Sequence, residues 1–141
     1  MIILDTNVIS ELMRPKPNKG VAAWLEAQDL LELATTGITV AEIQRGLMRL
    51  PDGKRRRGLE ERFSAFIDEA FAERLLVFDK AAAYACGPVS AKRESQGLHA
   101  DTVDMMIAAI ATTAQAVLAT RNTSDFEGCG ISLVNPWLPA G

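Results

Sequence analysis

The chain has no uninterrupted apolar stretch of the ~18 residues that a membrane-spanning helix needs, so no helical membrane span is expected. No basic segment precedes an apolar core at the N-terminus, where Asp5, Glu11 and Arg14 break the pattern, so no secretory signal is expected either. Histidine occurs once, at His99, which excludes a His-rich metal site. Cysteine occurs twice, at Cys86 and Cys129, far apart and without metal-ligand spacing. Both read as reduced thiols of a cytoplasmic protein. Positive charge is not in excess: 15 Lys and Arg face 18 Asp and Glu, for a net charge of −3. Proteins that bind nucleic acid by charge alone are usually basic, so the balance argues against a general nucleic-acid coat protein. Repeats, low-complexity tracts and linkers are also missing, which places residues 1–141 in one domain.

What is present is a well-supplied core, with 48% hydrophobic residues, and an alternation of short apolar strands with helical segments. Strands are read at Ile2–Leu4, Leu33–Thr36, Leu75–Phe78, Ala116–Ala119 and Ile131–Val134. The first helix runs from Thr6 or Asn7 to about Met13 and stops at Arg14-Pro15-Lys16-Pro17. A second helix spans about Lys19–Gln28. A third is capped by Thr39, with Glu42 three residues on in the capping-box position and Ile43, Leu47 and Leu50 on its buried stripe. After the Pro51-Asp52-Gly53 break, Lys54 to about Ala70 forms a helix with Leu59, Phe63, Phe66 and Ile67 on its apolar face. Asp79 caps the next helix, in which Gly87-Pro88 is expected to produce a kink or break. Asp101 caps the last, with Val103, Met106, Ile107 and Ile110 inward. Strands alternating with helices predict an α/β fold with a mostly parallel sheet covered on both faces.

Three acids carry the chemical signal. Asp5 follows the first strand, where the fold would place it on the C-terminal edge of the sheet, the edge along which open α/β folds bind ligands. Glu42 and Asp104 also fall at predicted helix starts. Each has a structural reading: Asp5 as an N-cap, Glu42 as a capping-box partner, Asp104 as a complement to the helix dipole. Asp104, however, lies in the apolar run Val103-Asp104-Met105-Met106-Ile107-Ala108-Ala109, and a buried acid needs a partner. Three carboxylates brought to one edge resist joint ionisation unless a cation lies between them. Hard divalent cations take oxygen ligands, which points to Mg²⁺ or Mn²⁺. A fourth group is expected from Thr120–Phe126, with Asn122 and Asp125 as candidates against the reading of an Asx turn. Lys54-Arg55-Arg56-Arg57 reads as a solvated helix start or an RNA contact, and Trp24 and Trp137 as core or interface aromatics.

Taken together, Asp5-Thr6-Asn7-Val8-Ile9-Ser10-Glu11, the helix Thr39-Val40-Ala41-Glu42-Ile43-x-x-Gly46, Asp104-x-x-Ile107-Ala108-Ala109 and Thr120-Arg121-Asn122-x-x-Asp125-Phe126 resemble the PIN-domain family. Within it the chain is most similar to VapC-type toxins of the FitB-like branch, whose Asn135-Pro136-Trp137 ending it shares. The resemblance implies a three-layer α/β/α sandwich and a Mg²⁺- or Mn²⁺-dependent ribonuclease, the toxin of a toxin–antitoxin pair. It implies an acidic triad of Asp5, Glu42 and Asp104, with Asp5 and Asp104 as direct metal ligands and Glu42 positioning metal or water. It further implies that Asn7 and Thr120 support the carboxylates, that the chain forms a homodimer, and that a VapB-like antitoxin inhibits it. The family often carries a fourth acid where this chain has Asn122, so Asn122 and Asp125 both stand as candidates for the fourth position.

Two other functions compete. A haloacid dehalogenase-like phosphatase also places a nucleophilic Asp after the first strand, but its second Asp is replaced by Asn7 and no well-placed lysine follows. A non-enzymatic partner would hold an antitoxin arginine in its acidic cleft, within a complex that binds operator DNA.

Overall fold

The structure, a computed structural model, describes residues 1–139. In chain order the elements are β1 (Ile2–Leu4), α1 (Thr6–Leu12), α2 (Lys19–Glu26), β2 (Leu33–Thr36), α3 (Gly37–Met48), α4 (Lys54–Phe71), β3 (Leu75–Leu76), α5 (Lys80–Glu94), α6 (Thr102–Ala114), β4 (Val117–Ala119) and β5 (Leu133–Val134), with 3₁₀ turns at Leu30–Glu32 and Thr123–Asp125. The strands form one five-stranded sheet in the order β3-β2-β1-β4-β5. Every pairing is parallel, with Ile3 opposite Ala34 on one side and Leu118 on the other.

Successive strand residues point to opposite faces, and that alternation divides the core. Ile3, Ala34 and Leu118 pack with α5 and α6. Leu4, Leu33 and Ala119 pack against α1 and α4, with Trp24, Ile43, Leu47 and Trp137 joining them. The result is the expected three-layer arrangement. Among the described residues no helix is long and apolar enough to cross a membrane.

Four details differ from the sequence reading. The helix α3 is capped by Thr36, not Thr39: the Thr36 hydroxyl accepts from the Thr39 N–H at 3.1 Å. Glu42 therefore lies in the second turn, beyond reach of a capping box. The helix α5 runs unbroken through Pro88. Gly87 precedes the proline and has no Cβ to meet its ring. The missing N–H frees the carbonyl of Tyr84, a residue on the exposed face of the helix. On α6 the inward residues are Met105, Ile107, Ala108, Ala109, Ile110 and Ala111, while Val103 is exposed and Met106 half-buried. The outer strands are short: β3 ends at Leu76 and β5 begins at Leu133.

Ile107 is 1% exposed, so Ile107→Ala is expected to cost roughly 2–5 kcal/mol by lost burial and a residual cavity. Urea unfolding checks this; a loss below ~1 kcal/mol would show that α6 repacks around the gap.

Candidate active site

Parallel strands bring their C-terminal ends to one edge. The next strand after β1 lies on one side of it, while β4 lies on the other. The crevice between β1 and β4 is thus a topological switch point, where such sheets bind ligands. Asp5 stands at the end of β1 and Thr120 at the end of β4. Their backbones continue the ladder, the Asp5 N–H donating to the Ala119 carbonyl at 2.9 Å.

The Asp5 side chain is 6% exposed and held at both oxygens. Its Oδ1 accepts from the Thr6 N–H at 2.9 Å, which makes it the N-cap of α1, and its Oδ2 accepts from the Thr120 hydroxyl at 2.8 Å. Capping and site placement are therefore the same contact, not alternatives. Asn7 reinforces the pair: its Nδ2 donates to Thr120 Oγ1 at 3.2 Å and its Oδ1 accepts from the Arg121 N–H at 3.0 Å. Burial raises the Asp5 pKa; the Thr120 and Thr6 hydrogen bonds oppose this, while Glu42 and Asp125 push it further up by repulsion.

Glu42 reaches the same edge from α3. The Thr6 hydroxyl donates to its Oε1 at 2.7 Å and lies 3.2 Å from the Thr39 hydroxyl. One hydrogen cannot serve both oxygens; the charged, nearer acceptor takes it, and Thr39 donates to Thr6.

Asp104, on the first turn of α6, is half-buried. Asp101 caps that helix by accepting from the Asp104 N–H at 3.0 Å. Burial, then repulsion from Asp101, Asp125, Asp5 and Glu42 in that order, raises the Asp104 pKa to about 7. This mutual repulsion puts five acids, Asp5, Glu42, Asp101, Asp104 and Asp125, in one electrostatic neighbourhood. Among the described residues, none of Asp5, Glu42, Asp104 or Asp125 has an ion-pair partner.

Of the two candidates for the fourth position, Asp125 is the one that carries charge. That residue acts on both Asp5 and Asp104. Asn122 starts the 3₁₀ turn without a side-chain cap, and its backbone N–H donates to Thr120 Oγ1 at 3.1 Å. Beside it, the Arg121 guanidinium stacks 5.1 Å from the centre of the Trp137 ring, and the Arg121 carbonyl accepts from Asn135 at 3.3 Å. The Asn135-Pro136-Trp137 segment thus braces this loop. Half of the basic run is engaged locally: Arg56 and Arg57 pair with Asp52, and Arg56 also with Glu60, while Lys54 and Arg55 are exposed.

Among the described residues, no three acidic, Cys or His side chains enclose an ion as they stand. The site does not fit an all-carboxylate cage. It does fit the habit of Mg²⁺, which takes one or two carboxylates and completes its shell with water and phosphate oxygens. Unpaired, mutually repelling carboxylates that range from buried Asp5 through half-buried Asp104 to exposed Glu42 and Asp125 are the donor set that such an ion relieves.

The roles of Thr6 and Thr36 were not evident from sequence. Both hydroxyls adjoin an element boundary, and which oxygen they serve depends on where the strand stops.

A PIN-domain family model matches residues 2–128, and the chain belongs to the PIN-domain family. It is 41% identical over 140 residues to the VapC ribonuclease Y4jK of Sinorhizobium fredii, covering 99% of this chain and 100% of that one. It is 39% identical over 137 residues to Toxin FitB of Neisseria gonorrhoeae, covering 97% and 99%. Its fold superposes on a chain of the structure of FitAB bound to a DNA fragment with a TM-score of 0.93 and 38% identity, covering 100% of this chain and 99% of that one.

Proposed function

We propose that this protein is a Mg²⁺- or Mn²⁺-dependent ribonuclease that hydrolyses RNA phosphodiesters as the toxin of a VapBC-type toxin–antitoxin pair. The observation that carries the reading is the set of unpaired carboxylates, Asp5, Glu42, Asp104 and Asp125, around the β1–β4 crevice. Family membership and the ribonuclease and toxin relatives support it.

Asp5 and Asp104 would hold the ion. Bound there, it would neutralise the phosphate and acidify water for attack on phosphorus. The protein's own part is orientation. Thr120 and Asn7 fix Asp5, and Thr6 fixes Glu42 toward the ion or the attacking water. Residues 1–141 act as one domain, in a cytoplasmic homodimer, and a VapB-like antitoxin closes the acidic crevice. FitB occurs in a FitAB complex on DNA, which supports a partner of this kind and an operator-binding role for the complex.

Expression of the chain in a bacterial host tests this reading. The expected result is growth arrest with early fragmentation of RNA, relieved by co-expressing the small protein encoded beside it. Unaltered growth and intact RNA, with the chain shown to accumulate, would contradict it.

Thr6→Val keeps the shape and removes the exposed hydrogen bond that orients Glu42. Turnover is expected to fall about tenfold or more with little loss of stability. Turnover equal to wild type would show that Glu42 needs no such support.

A further inference from the structure

Arg93, near the C-terminal end of α5, is 7% exposed and has no acid within ion-pair distance among the described residues. A buried charge is costly unless hydrogen bonds satisfy it. Here three backbone carbonyls do so. Nε donates to the His99 carbonyl at 2.6 Å, and Nη1 donates to those of Ser124 at 3.0 Å and Glu127 at 2.7 Å.

The two segments joined in this way carry two of the site's acids. His99 lies two residues before Asp101, the cap of α6, and Asp104 stands in the first turn beyond. Ser124 and Glu127 bracket Asp125. Gln96 adds one exposed hydrogen bond between the same regions, to the Gly128 carbonyl at 3.1 Å. Among the described residues, neither the Asp104 nor the Asp125 carboxylate makes a hydrogen bond of its own. Where those carboxylates sit is therefore decided by their backbones, and Arg93 ties the backbones together.

We infer that Arg93 is a positioning residue that sets the separation of Asp104 and Asp125, and with it the capacity of the crevice for a divalent cation and the scissile phosphate. This rests on the ribonuclease reading above. A planar guanidinium fork holds three carbonyls in fixed directions, whereas the ammonium of lysine cannot reproduce that geometry.

The test compares wild type, Arg93→Lys, Asp125→Ala and the double variant. Mn²⁺ affinity is measured by electron paramagnetic resonance of the free ion, kcat and KM on a short RNA, and folding by thermal unfolding. Supporting groups around a metal site typically change its affinity 10- to 100-fold when altered. Folded Arg93→Lys is expected to bind Mn²⁺ about tenfold more weakly. Its kcat should fall in parallel, with KM shifted by less than about twofold. Asp125→Ala should weaken Mn²⁺ binding in wild type and add little in the Arg93→Lys background, because its carboxylate is already misplaced.

Wild-type Mn²⁺ affinity in Arg93→Lys overturns the inference, as do penalties that simply multiply in the double variant. If Arg93→Lys does not fold, Arg93→Gln, which buries no charge and keeps a donor, carries the same expectations. If wild type binds Mn²⁺ but leaves RNA intact, the ribonuclease reading fails while the Mn²⁺ data still decide the role of Arg93. No Mn²⁺ binding by wild type overturns both.

Discussion

Asp5→Ala is expected to lower RNA cleavage by about 10³-fold or more, which corresponds to about 4 kcal/mol of lost transition-state stabilisation. The loss is large because Asp5 is the acid that the fold fixes most firmly, at both oxygens, in the crevice between β1 and β4. The protein should still fold. Removing the carboxylate deprives the Thr6 N–H and the Thr120 hydroxyl of an acceptor, but it also removes a buried charge that the site disfavours. These effects oppose each other, and the net change in stability is expected within about 2 kcal/mol. Thermal unfolding and a cleavage assay on the same preparation check both halves. Undiminished cleavage by a folded Asp5→Ala protein would remove Asp5 from the reaction.

The second large effect concerns Asp104 and depends on pH. Its pKa is raised from 3.8 to about 7 by burial and by Asp101, Asp125, Asp5 and Glu42. Between those values the metal-free folded state holds a proton that the unfolded state has released. Stability from this group is thus fully present below pH 3.8 and is lost as pH rises through about 7. Asp104→Asn has no such proton to lose. Metal-free wild type and variant should unfold alike near pH 4, and the variant should become the more stable of the two by pH 8. Its cleavage activity should nonetheless fall by roughly 10²-fold or more, since the amide is a poor ligand for a hard cation. Urea unfolding of both proteins across this pH range is the check. A constant difference between them would show that Asp104 titrates normally in the fold.

Strand ends explain which parts of the candidate site are legible in the sequence. Asp5 and the segment opening at Thr120 are legible because each follows an apolar strand, and parallel strands end at one edge whatever the details of packing; the supporting role of Thr120 comes from the family resemblance. The boundaries of β1 and β2 matched for the same reason. For Glu42 the competing capping-box reading fails. Thr36 and Thr39 both offer a hydroxyl three residues before a helical N–H, and only the position where β2 stops decides between them. Gly87-Pro88 was misread because a proline on an exposed helix face loses one hydrogen bond to water, and the packing of α5 on α6 keeps the helix whole. Arg93 left no local trace, since two of its acceptors lie 31 and 34 residues away in sequence. Between Asn122 and Asp125 the sequence offers no choice, because turn chemistry suits both; only Asp125 adds charge that acts on Asp5 and Asp104.

The most direct measurement is RNA cleavage by the purified, antitoxin-free chain in Mg²⁺, in Mn²⁺ and in EDTA. RNA fragments are expected with either metal and intact RNA once the metal is chelated, whereas cleavage that continues in EDTA would rule out a metal-dependent site built on Asp5 and Asp104.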